Sequence, residues 1–172
     1  MKIAAAALAG LLLVGGGAAT AAQAASQSEP ASAAVTQQTV LSADAALRIA
    51  EAVQKEAAKQ KQRVTVAIVD RSGATRLILK GDGSGPQTEE SAKRKAFTAV
   101  SMGRPTSELA KGITGAGPSI ADIPGTLFLA GGVPVASGGA PIAGIGVGGA
   151  PSGDIDEAIA RAGLKAVDGK LG

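Results

Sequence analysis

Residues 64–80 read VTVAIVD-RSGA-TRLILK, and this stretch decides the fold. Its first part, residues 64–70, is short, apolar and β-branched, as a buried strand requires. Arg71-Ser72-Gly73-Ala74 is a turn, with Gly73 free to take a positive φ. Residues 75–80 return as the second strand of a hairpin. Strands joined so tightly must pair antiparallel.

Upstream, Ser42 is a good N-cap for a helix over residues 43–60. Ala46, Ile49, Ala50, Val53 and Ala57 recur at helical spacing and make its apolar face. Arg48, Glu51, Lys55 and Lys59 lie largely off that face. Downstream, GDGSGP at 81–86 is a loop, and a second helix runs over 87–102 with Ala92, Ala96, Ala99 and Val100 as its apolar side. Lys93, Arg94 and Lys95 sit in a row and fan over a wide arc of it; Lys95 reads first as a solvated helix lysine and second as a contact for an anion or carboxylate near the loop from Gly112. Thr106 is placed to cap a short helical turn through Leu109. Residues 112–124 are a Gly- and Pro-punctuated loop. Strands are expected at 126–130, 133–136 and 142–147, linked by Gly131-Gly132 and Ser137-Gly138-Gly139. Asp154 opens a C-terminal helix, with Asp154-Ile155-Asp156-Glu157 at capping-box spacing and Ile155, Ile159, Ala162 and Ala166 inward. The expected fold is α+β: an antiparallel sheet of about five strands with helices packed on it.

The N-terminus has a different character. Lys2 precedes an apolar run over residues 4–14, and Ala22-Gln23-Ala24 offers a small-x-small cleavage site. That order is the order of a secretory signal peptide. The apolar run is about 11 residues, against roughly 20 for a membrane span. The organisation predicted is a signal peptide at 1–24, a flexible tether at 25–40 and one domain at 41–172. The mature protein is expected in the periplasm or the medium, with no membrane span.

The formal net charge is +3, and acidic and basic residues alternate along the chain. A nucleic-acid footprint needs a concentrated basic stripe with aromatics to stack bases, and the aromatics here are Phe97 and Phe128 alone. Without Cys there is no disulfide. Without His or Tyr the chain lacks the usual zinc and copper ligands, the commonest general base and every Ser-His-Asp or Cys-His nucleophile. No metal site is expected. Cores of small residues form thin layers, which favours burying more surface in a homo-oligomer.

Two motifs read better as structure than as chemistry. Gly144-Ile145-Gly146-Val147-Gly148-Gly149 fits G-x-G-x-x-G, but it lies within and just after a strand rather than opening a helix in a βαβ unit. A crowded strand that another backbone or a partner subunit approaches closely is the better reading. Asp70 and Asp82 flank the hairpin and suit turn hydrogen bonds better than an acid–base pair.

The hairpin VAIVDRSGATRLILKGDG, the segment KAFTA at 95–99, RPTSEL at 104–109 and GGVPV…IAGIGVGGAPSGDIDEAIARAGL together resemble the GlcG/HbpS family over residues 41–164. The resemblance implies a profilin-like fold, homo-oligomers and, for some members, haem binding. Haem iron is usually held by His, Cys, Met or Tyr, and of these the mature chain keeps Met102 alone. Weaker ligands would be Thr106, Lys95 or a carboxylate, with Arg94, Arg104 or Lys95 on the haem propionates. The candidate ligand-binding set is therefore Arg94, Lys95, Met102, Arg104 and Thr106. The first functional reading is an exported small-molecule-binding protein, a carrier or sensor, with haem as candidate cofactor and weak or non-standard iron ligation. The alternatives are an enzyme acting on a small organic acid or carbonyl compound through Lys or carboxylate chemistry, and a structural or regulatory oligomeric partner.

Overall fold

A computed structural model describes residues 34–115 and 117–171. The expected signal peptide, and the expected tether as far as residue 33, lie outside the described residues. Residues 37–171 make one compact unit.

The first helix, α1 (Ala43–Lys59), is capped by the Ser42 hydroxyl, which accepts from the Ala45 N–H. All five residues of its expected apolar face are buried. Strands β1 (Thr65–Asp70) and β2 (Thr75–Lys80) form the expected hairpin. Asp70 serves its turn, accepting from the N–H groups of Ser72 and Ala74 and from the Ser72 hydroxyl. Helix α2 (Thr88–Met102) ends where Gly103 turns left-handed. A short α3 (Thr106–Lys111) follows, then β3 (Gly132–Ser137), β4 (Ala140–Gly148) and α4 (Gly153–Lys165). The four strands are antiparallel in the order β2-β1-β4-β3, so the class expected from sequence holds.

The strand expected at 126–130 does not form, and the sheet has four strands rather than five. The reason is where its backbone groups go. The Thr126 carbonyl accepts from the Arg94 guanidinium, the Leu127 N–H donates to the Thr98 hydroxyl, and the Leu129 carbonyl accepts from the Thr106 hydroxyl. Side chains of α2 and α3 thus take the hydrogen bonds that a neighbouring strand would otherwise supply.

The two faces of the sheet are covered differently. Ile145 and Val147 of β4, with Val66, Ile68, Val133 and Val135, join α1 and α4 in the main core. On the opposite face α2 lies almost directly on the main chain of β4. A Cβ at Gly144 would collide with the Ala96 carbonyl, and one at Gly146 with the Ala92 carbonyl. The glycine-rich motif is thus a bed for a helix, as its position in a strand suggested, and Ala92 and Ala96 are the small residues that let the helix down onto it.

Helix α4 departs from expectation at its start. Its N-cap is Ser152, whose hydroxyl accepts from the Ile155 N–H, so Asp154 does not cap it. The helix also turns inward through Asp156, Glu157, Ile159, Ala160 and Gly163. Of the inward residues expected, Ile159 is buried, Ile155 and Ala162 are half-buried and Ala166 is exposed.

Candidate functional site

Because α2 sits so low on β4, a long side chain on its inner face has no room over the strand and reaches instead for the end of β4, beside Gly131. Lys95 does this. Its ammonium donates to the Val147 carbonyl at 2.9 Å and to Asp156 of α4 at 2.7 Å. Both side chains are only 4% exposed. An ammonium or carboxylate buried alone would be prohibitively costly, so each requires the other. The second Asp156 oxygen accepts from the Ala150 N–H at 3.0 Å. Burial pushes the Asp156 carboxyl above its ordinary range, and the neighbouring Lys95 works against that rise. Room for the ammonium comes from Gly131, with φ +123: a Cβ there would lie 2.8 Å from the Lys95 nitrogen.

Over this pair opens a cleft of about 370 Å³. It lies between the first half of α2, the segment before β3 and the loop entering α4. Its volume is at the small end of the range for ligand sites, roughly 300–1,000 Å³. Ser91, Ser152, Leu129 and the exposed Asp154 contribute to its walls.

A second carboxylate supports the site from behind. Glu157 accepts from the Ser107 N–H and hydroxyl and from Arg161, fastening α3 to α4. Burial pushes its carboxyl up, but Arg161 and Ser107 outweigh this and hold it below its ordinary range.

Of the residues singled out from sequence, three gather around the segment preceding β3. Arg94 donates to the Thr126 carbonyl at 2.6 Å. Lys95 is the floor of the cleft rather than a solvated lysine, because Asp156 and Val147 supply its acceptors. Thr106 is not an N-cap. That position is Pro105, and the Thr106 hydroxyl donates to the Leu129 carbonyl while accepting from the Gly132 N–H. Met102 and Arg104 stand apart, with Met102 about 10 Å farther along α2 than Lys95 at 1.5 Å per residue. Met102 is half-buried, and Arg104 is exposed beside Glu108.

Asp156 was missed in the sequence as a site residue because it was assigned to the helix start. A signal was present. Asp156, Ile159, Ala160 and Gly163 fall at i, i+3, i+4 and i+7, the spacing of one helix face. Lys95 likewise belongs to the inward stripe of Ala92, Ala96 and Ala99. An acid on one inward stripe and a base on another imply that they meet.

A family model described as "Haem degrading protein HbpS-like" matches residues 41–165. The crystal structure of HbpS is 56% identical, with a TM-score of 0.76, covering 81% of this chain and 98% of that one. The ORFY protein of Klebsiella pneumoniae is 25% identical with a TM-score of 0.71, covering 77% of this chain and 94% of that one. A PduOC–haem complex is also 25% identical with a TM-score of 0.71, covering 78% of this chain and 98% of that one. No curated protein matches the chain. The family match spans the sheet and all four α-helices, and on that ground the chain belongs to the HbpS-like family of haem-degrading proteins.

Proposed function

We propose that this chain is an exported protein that binds haem weakly, in a carrier or sensor role. The observation that carries the reading is membership of the HbpS-like family, strengthened by a similar protein seen in complex with haem. The donor set of this chain fits a porphyrin held loosely. The cleft offers no ordinary axial ligand, since its one amine is already bound to Asp156 and Val147. Met102 supplies a thioether at the C-terminal end of α2, half open to solvent. Arg104, 60% exposed, is held only by an open pair with Glu108 at 3.4 Å. Such a pair is worth little, which leaves the guanidinium available to a propionate. Haem, when bound, would supply the iron centre. The protein's own part is one soft ligand and one acid-pairing cation.

The test is a haem titration followed by absorbance. A saturable Soret shift is expected in the micromolar range, where binding is worth about 8 kcal/mol. Met102→Ala should weaken it at least tenfold, a loss of about 1.4 kcal/mol. No Soret change in the unaltered protein overturns the reading.

An enzyme using Lys95 as a base is the weaker alternative, because that amine is committed to two acceptors. Export and self-association belong to the same proposal. Export is supported by the sequence of residues 1–24. Self-association is supported by β2, an edge strand whose Ile78 and Leu79 are 36% and 39% exposed. An open apolar edge invites a second copy. Native mass spectrometry of protein recovered outside the cytoplasm tests both. Chains beginning at Ala25 and assembled into oligomers are expected. A monomer that still carries Lys2 counts against both.

A further inference from the structure

The end of α2 is held by a side chain from outside the helix. The last carbonyls of a helix have no amide partner within it, and they form the negative end of its dipole. A basic residue in the last turn would answer both needs, and α2 has none. Arg71, in the β1–β2 turn, takes that place. One nitrogen of its guanidinium, Nη1, donates to the Val100 carbonyl at 2.7 Å and to the Ser101 carbonyl at 3.2 Å. Its backbone N–H donates to the Ile142 carbonyl of β4, so the arginine is itself anchored to the sheet. The same turn touches α2 one helical turn earlier: a Cβ at Gly73 would lie 3.2 Å from the Phe97 ring. Beyond the helix, Gly103 turns left-handed beside Pro141 at the start of β4.

We propose that Arg71 is the positioning residue of the haem site, an inference that rests on the reading of Met102 as the iron ligand. Met102 is the last residue of α2, and the carbonyls that Arg71 holds belong to the two residues before it. Its thioether ends a side chain with three rotatable bonds, so little of its direction is fixed locally. A helix end that frays adds backbone freedom to that. A single soft ligand then spends most of its time away from the iron, and the cost of ordering it is taken from the affinity. With Val100 and Ser101 pinned, the backbone of Met102 is fixed before haem arrives. Arg71 acts on the iron only through Met102.

The first test is a thermodynamic cycle on the Soret titration. Arg71→Leu, at an exposed position, should weaken haem roughly tenfold, as Met102→Ala does. The double variant should be no weaker than Met102→Ala alone, because Arg71 acts through that residue. Losses that multiply overturn the inference. The second test follows the Met102 methyl by NMR in the full chain, with isotope-labelled methionine. Met1 and Met102 are the only methionines, and a Met102→Leu spectrum assigns them. Paramagnetic haemin should shift or broaden the Met102 methyl strongly in the parent, and diamagnetic gallium protoporphyrin should not. Arg71→Leu should lose most of that effect at saturating haemin, and Arg71→Lys, which restores a cationic donor, should recover part of it. A mere loss of stability leaves the methyl signal of the loaded protein unchanged. Without haem, amide exchange at Met102 should be roughly tenfold faster in Arg71→Leu, as for a lost hydrogen bond from a charged group, with Ala92 unaffected. A methyl effect equal to the parent's in Arg71→Leu, or unchanged exchange at Met102, overturns the positioning role. No Soret change in the parent removes haem binding and the role of Arg71 together, whereas a Soret change with an unmoved Met102 methyl leaves haem bound and removes the role of Arg71 alone.

Discussion

Gly146→Val should cost more than about 3 kcal/mol of stability, beyond the usual 1–3 for an overpacked core. A Cβ at this position collides with the Ala92 carbonyl and lies 2.6 Å from the Ala96 nitrogen. Those are main-chain atoms in the middle of α2, so no rotamer change relieves the contact. Either the helix lifts off the sheet, taking Lys95 with it, or β4 leaves the centre of the sheet. Gly169→Ala is the matched control. Its Cβ meets nothing within 4 Å, so a change within about 0.5 kcal/mol is expected. Urea unfolding followed by circular dichroism measures both. A Gly146→Val midpoint close to the parent's would mean that α2 does not rest on that strand.

Lys95→Met should cost about 3–5 kcal/mol, the usual result of removing one partner from a buried ion pair. The methionine fills most of the volume, so the loss comes chiefly from Asp156 left charged and unpaired. The double variant Lys95→Met/Asp156→Leu removes both charges and should recover most of that loss. The pH dependence provides an independent check. Burial already raises the Asp156 carboxyl, and without Lys95 the rise is larger. A carboxyl raised in the folded state contributes its stability fully below its unfolded value, about 3.9, and loses it as pH rises through the folded value. The gap between Lys95→Met and the parent should therefore be widest near neutral pH and shrink toward about pH 4. A gap that does not vary with pH would mean that Asp156 is not the source of the cost.

Both predictions rest on features of different legibility. The β1–β2 hairpin, the buried face of α1 and the crowding of the glycine-rich strand were legible because each is a local pattern whose period or residue size is decisive. The family resemblance, drawn over 41–164, lies within the matched range of 41–165. The misreadings share one cause, which is that a partner distant in sequence decides the outcome. Residues 126–130 have strand composition, yet Arg94, Thr98 and Thr106 claim their backbone groups first. Lys95 looks like a solvated lysine until Asp156, 61 residues later, is placed beside it. Thr106 suits a cap until the Leu129 carbonyl is brought within 2.7 Å. Local propensity has no access to such pairings, although matching inward stripes on two helices would have suggested the ion pair.

The strand order has a consequence for how the protein is made. The central partner of β1 is β4, with Thr65 opposite Gly148. A nascent chain that has emerged only as far as β3 holds the first hairpin, but the sheet lacks its middle and α2 lacks the surface it rests on. Contacts this distant in sequence form late. Completion of the sheet, and the docking of α2 on it, must therefore wait until β4 has left the ribosome.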